Sequence, residues 1–185
     1  MRPLFTVHAG EFLVGSEVER RLSGAHVWLP SKDTGIDLLV TNARNTRSIS
    51  LQVKYSRDYS MFHRGFLACG WWTFDRAKLR ASPADLWVLV LLPFRPGEGM
   101  DRKDIQYVII PPKELANRMG RIFGREKTFQ SYLSVTQKQR CWEVRGVRTE
   151  GVTEMVEGRS TDRRREFTRY LNAWKLVARR LALPV

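Results

Sequence analysis

Gly35-Ile36-Asp37-Leu38-Leu39-Val40, a polar turn, and then Ile49-Ser50-Leu51-Gln52-Val53-Lys54 decide the reading of this chain. In the second run Ile49, Leu51 and Val53 alternate with Ser50, Gln52 and Lys54. A strand puts the apolar set on one face and Gln52 and Lys54 together on the other. In the first run Ile36, Leu38 and Val40 are expected on one face and Asp37 on the opposite one. The connection from Thr41 to Ser48 is rich in Asn, Arg and Thr, which suits a hairpin. Antiparallel pairing then brings Asp37, Gln52 and Lys54 close together on one surface.

Working outward, the first helical pattern runs from Ala9 to Ser23. Val14, Val18 and Leu22 recur at four-residue spacing, and Glu11 falls on the same inward stripe. An inward carboxylate is costly to desolvate unless it is paired or bound to a metal, so Glu11 is either a structural cap or ion-pair member or part of a site. Ala25 to Leu29 reads as a short strand, and Pro30 to Gly35 as the loop that delivers Asp37. Leu86 to Pro93 is apolar on both faces, as a buried central strand is. Ile105 to Ile110 is a further strand, and Pro112 opens a helix. The stretch from Tyr55 to Ala81 mixes basic and aromatic residues and has no clear period. A final basic amphipathic helix is expected from Ser160 to Leu181, with Gly151 to Gly158 a loose connection before it. The fold class that follows is α/β, a central sheet flanked by helices with a basic C-terminal helical extension. The core is expected over residues 1–119 and the extension over 120–185, packed on that core.

Length and a hydrophobic fraction of 43% allow one domain with a real core. The net charge of +13 favours a polyanionic partner, nucleic acid before an anionic membrane. Cys69 and Cys141 are too far apart for a zinc knuckle and too few for a disulfide framework. They read as buried free thiols of a cytoplasmic protein, with no signal peptide and no membrane span. Arg57 and Arg64 just beyond Lys54, Lys32 in the loop before Asp37, and Arg163 and Arg164 near the C-terminus are the candidate phosphate contacts.

Glu11, Asp37, Gln52 and Lys54 carry the candidate chemistry. Phosphodiester hydrolysis needs charge neutralisation, a positioned water and help for the leaving oxygen. Mg2+, or Mn2+ in its place, takes oxygen ligands and keeps several waters. Asp37 supplies an anionic ligand, Gln52 a neutral carbonyl, and Glu11 a carboxylate acting through water. Lys54 orients or helps deprotonate the attacking water and stabilises developing charge.

Gly10-Glu11 on a first helix, then Gly35-Ile36-Asp37, then Leu51-Gln52-Val53-Lys54 resembles the PD-(D/E)XK nuclease superfamily, which includes restriction endonucleases and Holliday junction resolvases. The resemblance covers about Ala9 to Met119. It implies a restriction-endonuclease-like mixed sheet and magnesium-dependent cleavage of DNA, with branched or structured DNA among the substrates. Ile36 stands where the family has its proline, and Gln52 where it has an acidic residue, a glutamine variant of the last motif. By analogy with nucleases that cut both strands a homodimer is one possibility, and the oligomeric state stays open. Two other readings stay open: a nucleic-acid-binding module that keeps the nuclease fold without turnover, and a surface or interaction domain working through the C-terminal basic helix.

Overall fold

A computed structural model describes residues 9–32, 34–56, 65–93 and 104–184. The elements run α1 (Ala9–Arg21), β1 (Ala25–Trp28), β2 (Leu38–Asn42), β3 (Ser48–Tyr55), β4 (Phe66–Asp75), α2 (Arg76–Arg80), β5 (Leu86–Pro93), β6 (Gln106–Ile110), α3 (Pro112–Phe123), β7 (Thr128–Thr136), β8 (Cys141–Glu143), α4 (Thr149–Glu157), a 3-10 turn (Thr168–Tyr170) and α5 (Lys175–Leu181). Eight strands form a mixed sheet in the order β1-β2-β3-β5-β4-β7-β8, with β6 also paired to β5. β1, β2 and β3 are an antiparallel meander, β3 and β5 pair in parallel, and the remaining pairings are antiparallel. The expected α/β architecture, a mixed central sheet flanked by helices, is what the chain adopts.

The alternation of β3 decides the layering. Ile49, Leu51 and Val53 join Leu38, Val40, Val88 and Val90 in one core, covered by Val14 and Val18 of α1 and by Trp174, Val177 and Leu181 around α5. The opposite face carries a second core. There Trp87, Leu89 and Leu91 meet Leu79 of α2, Leu115, Ala116 and Met119 of α3, and Phe167 and Tyr170. The apolar run of β5 is buried on both faces for this reason.

Four local expectations differ from the structure. The first strand of the hairpin begins at Leu38, not Gly35, and Ile36 packs with the second core while Leu38 and Val40 pack with the first. The cause is Asp37. Its N–H bonds the Leu51 carbonyl at 2.9 Å and its carboxylate accepts the Val53 N–H at 2.7 Å, so the ladder breaks there and the alternation slips. The unread stretch after Tyr55 contains the ten-residue strand β4 and the one-turn helix α2. The supposed loose connection contains α4, closed by Gly158 in the left-handed conformation.

The long C-terminal helix starts only at Lys175. Before it, the Phe167 N–H bonds the Cys141 carbonyl at 2.7 Å and extends the β8 edge. Asn172 then takes a positive φ of 47°, which ends any continuous helix. Its side chain accepts the Tyr107 N–H at 3.0 Å and donates to Gln106 at 2.7 Å, anchoring the turn to β6. β7 and β8 lie in the same sheet as the hairpin, and α5 is part of the first core.

Candidate active site

Asp37 meets Gln52 at the hairpin of β2 and β3, and Lys54 lines the same cavity as Gln52. The Gln52 side-chain amide donates to the Asp37 carboxylate, and the same Asp37 oxygen accepts the Val53 N–H. Asp37 therefore spans Leu51 to Val53 across the hairpin by main chain and side chain together. Gln52 is only 8% exposed. With its nitrogen committed to Asp37, its oxygen points elsewhere and lies 3.7 Å from where a Cβ on Gly35 would stand.

Lys54 lies two residues on, on the same face of β3. Its ammonium sits 5.3 Å from the centroid of the Trp87 ring, held there by cation–π attraction. Trp87 is Gln52's neighbour in the parallel β3–β5 register, and its indole N–H donates to Ser82 at 2.8 Å. The lysine stem thus rests on a ring that is itself fixed.

Gln52, Lys54 and Trp87 open onto a cavity of about 590 Å³. Asp37 is reached through Gln52. The far wall comes from Thr73 and Asp75 at the end of β4, Lys78 of α2, Ser82 and Thr128. Asp75 caps α2: its carboxylate accepts the Lys78 N–H at 2.9 Å, and that bond holds its pKa below the ordinary carboxylate range. Asp75 and Lys78 are site residues that the sequence reading missed. An aspartate three residues before Lys78, at the start of a short helical stretch, is the signal that would have found them.

Glu11 comes from a different element, α1. It is half-buried in the first turn of α1. A Cβ on the preceding Gly10 would come 2.7 Å from the Tyr55 Cβ, so helix and strand touch here only because that residue is glycine. Tyr55 shares the Val53 face of β3, opposite to Gln52 and Lys54. Glu11 therefore approaches the same end of the strand from the other layer. Lys32 is exposed in the loop before β2. Arg57 and Arg64 lie outside the described residues. Arg163 and Arg164 are exposed in the segment before the 3-10 turn, paired with Glu166 at 3.4 Å and Asp162 at 3.1 Å.

Among the described residues no three His, Cys, Asp or Glu side chains converge to hold a metal. Among the described residues, the Asp37 carboxylate and the Gln52 amide oxygen are donors at this corner. Magnesium bound through one or two carboxylates, several waters and a substrate phosphate needs no more than that from the protein. The residues present therefore fit a weakly held, substrate-completed Mg2+ and do not fit a closed cage.

Two further polar knots fasten the sheet, the first beside the site and the second at its far edge. The Asp85 carboxylate accepts both the Ser50 N–H at 2.9 Å and the Ser50 hydroxyl at 2.8 Å, locking the start of β5 against β3. On the far side of the sheet, Glu143 is fully buried and takes the Tyr132 and Arg145 N–H groups and the Arg165 guanidinium, the last at 2.5 Å.

No family model, curated protein or solved structure matches this chain. No helix among the described residues is long and apolar enough to cross a membrane.

Proposed function

We propose that the protein is a metal-dependent nuclease that hydrolyses DNA phosphodiester bonds, in the manner of the PD-(D/E)XK superfamily. The observation that carries this reading is the contact of Asp37 with Gln52, with Lys54 two residues on beside the same cavity. The meander β1-β2-β3 followed by a parallel β5 supports it, since that order delivers the acid and the Gln-x-Lys pair to one sheet end. The net charge of +13 supports a polyanionic substrate. So does the layer over the site's face, where Lys78, Arg80, Arg121, Arg125 and Lys127 are exposed.

In this reading Asp37 and Gln52 would hold the cation, which when bound neutralises phosphate charge and acidifies a water. Lys54, resting on Trp87, presents a positive charge to the phosphate and orients the attacking water. Lys78 adds a second cation on the opposite wall of the cavity. Incubation with plasmid, linear and branched DNA in Mg2+ or Mn2+ tests the proposal. Cutting that is abolished by chelator, by Asp37→Ala and by Lys54→Ala is expected. No cutting by the wild type, or equal cutting by the variants, overturns it.

One observation favours a second reading, a nucleic-acid-binding module without turnover: position 52 presents Asp37 with a neutral amide and not a second carboxylate. Calorimetric titration with Mg2+ separates the two. Heat that disappears in Asp37→Ala supports the nuclease, and salt-sensitive DNA binding without any metal heat supports the binder.

A further inference from the structure

β1 is the edge strand of the sheet, and the layer that covers the site's face stops short of it. On that face Trp28 pairs with Leu39, and Leu39 with Ser50, so Trp28 shares the surface of Gln52 and Lys54. Its indole N–H donates to the Thr41 hydroxyl at 3.0 Å, and Thr41 is 8% exposed beneath it. The Thr41 hydroxyl in turn donates to Asn45 at 2.8 Å. The ring is thereby held by a bonded hydroxyl on the sheet while 51% of the residue remains exposed. Leu39 beside it is also exposed, at 36%.

A large indole left in water, with its only polar atom already satisfied inside the protein, has an apolar surface free for a partner. The charges around it say which. The stretch from Ala25 to Ile49 carries three basic residues, Lys32, Arg44 and Arg47, all exposed, against two acids, Asp33 and Asp37, in a chain of net charge +13. A second copy of a chain carrying +13 would be repelled by such a surface, and a polyanion is attracted to it. A polyanion that also has flat apolar faces to stack is a nucleic acid with unpaired bases. Strand spacing and rise put the Trp28 backbone roughly 12 Å from Gln52 and roughly 17 Å from Lys54. A few stacked nucleotides at about 3.4 Å each cover these distances.

We propose that Trp28 is a stacking platform for an unpaired base of the DNA substrate, a few nucleotides from the phosphate held at Lys54. The proposal rests on the nuclease reading for its substrate and names the substrate class more narrowly: single-stranded, frayed or branched DNA over continuous duplex.

The test is binding of a fluorescently labelled single-stranded oligonucleotide, and of the duplex of the same sequence, to the full chain in EDTA. Wild type, Trp28→Ala and Trp28→Phe are compared, each with its sedimentation velocity. Expected are tighter single-strand binding by wild type, a loss of about tenfold or more in Trp28→Ala on the single strand only, and recovery of most of it in Trp28→Phe. Unchanged single-strand affinity in Trp28→Ala overturns the platform while leaving the nuclease reading intact. A wild-type dimer that Trp28→Ala converts to monomer also overturns it, and assigns the patch to a second copy. Absence of binding to either oligonucleotide by the wild type overturns this proposal and the DNA reading together.

Discussion

Gln52 gives its side-chain amide to Asp37, so the acid of one strand is pinned by a neutral group of the next. This contact stands where two carboxylates would repel each other in the absence of a cation. A glutamine here lets the corner fold with its charges already balanced, and it also caps the negative charge available to a metal.

Gln52→Glu follows directly. The new carboxylate faces Asp37 in a site where Gln52 is 8% exposed, and the amide donor is lost. Chemical denaturation at pH 8 in EDTA is expected to show a loss of about 1–3 kcal/mol. Added Mg2+ should restore it and bind more tightly than in wild type. A variant as stable as wild type in EDTA, with no response to Mg2+, counts against a cation at this corner.

Lys54→Met keeps an unbranched stem over Trp87 and removes the charge. Only a cation–π contact of about 0.5–1 kcal/mol is at stake for stability. The denaturation midpoint should barely move, while DNA cleavage should fall about 100-fold or more. Rates measured beside melting curves on the same preparation separate chemistry from folding.

Burial raises the Glu143 carboxyl from 4.5 to about 7, against the pull of the Tyr132 N–H and the Arg165 guanidinium. The folded state thus holds this proton at pH values where the unfolded chain has released it. Its contribution to stability is fully present below about pH 4.5 and is lost as pH rises through about 7. Urea midpoints should therefore fall between pH 5 and pH 8, and Glu143→Gln should flatten that fall. A midpoint that rises over this range in wild type but not in the variant would reverse the assignment.

Leu181→Ala tests whether the last helix belongs to the fold. Leu181 is fully buried in the core that also holds Val14, Val18 and Leu51. Its truncation is expected to cost about 2–5 kcal/mol by urea denaturation. A cost below about 1 kcal/mol would mark the segment as a separable appendage.

Much of this was legible in the chain. The alternation of β3, the doubly buried β5 and the stripe of α1 each bury residues at the period of their own element, and period survives without knowledge of neighbours. What failed were places where a side chain replaces a main-chain partner. Asp37 takes the Val53 N–H, so its strand starts late. Asn172 serves Tyr107 and Gln106, so the helix expected from Ser160 cannot run through. The Phe167 N–H goes to Cys141, a partner 26 residues away that no local pattern announces.

The site divides in the same way. Gln52 and Lys54 share a face because residues two apart on a strand must, and Asp37 reaches Gln52 because a short hairpin permits little else; both facts are local and the sequence alone determined them. Tertiary packing alone decided the rest. The choice of which sheet face α1 covers belongs to the two cores, and they lay α1 on the Val53 face with its first turn against Tyr55. Asp75 and Lys78 face Lys54 across the cavity because β4 leaves β3, pairs with β7 and returns through α2, a path fixed by long-range strand pairing.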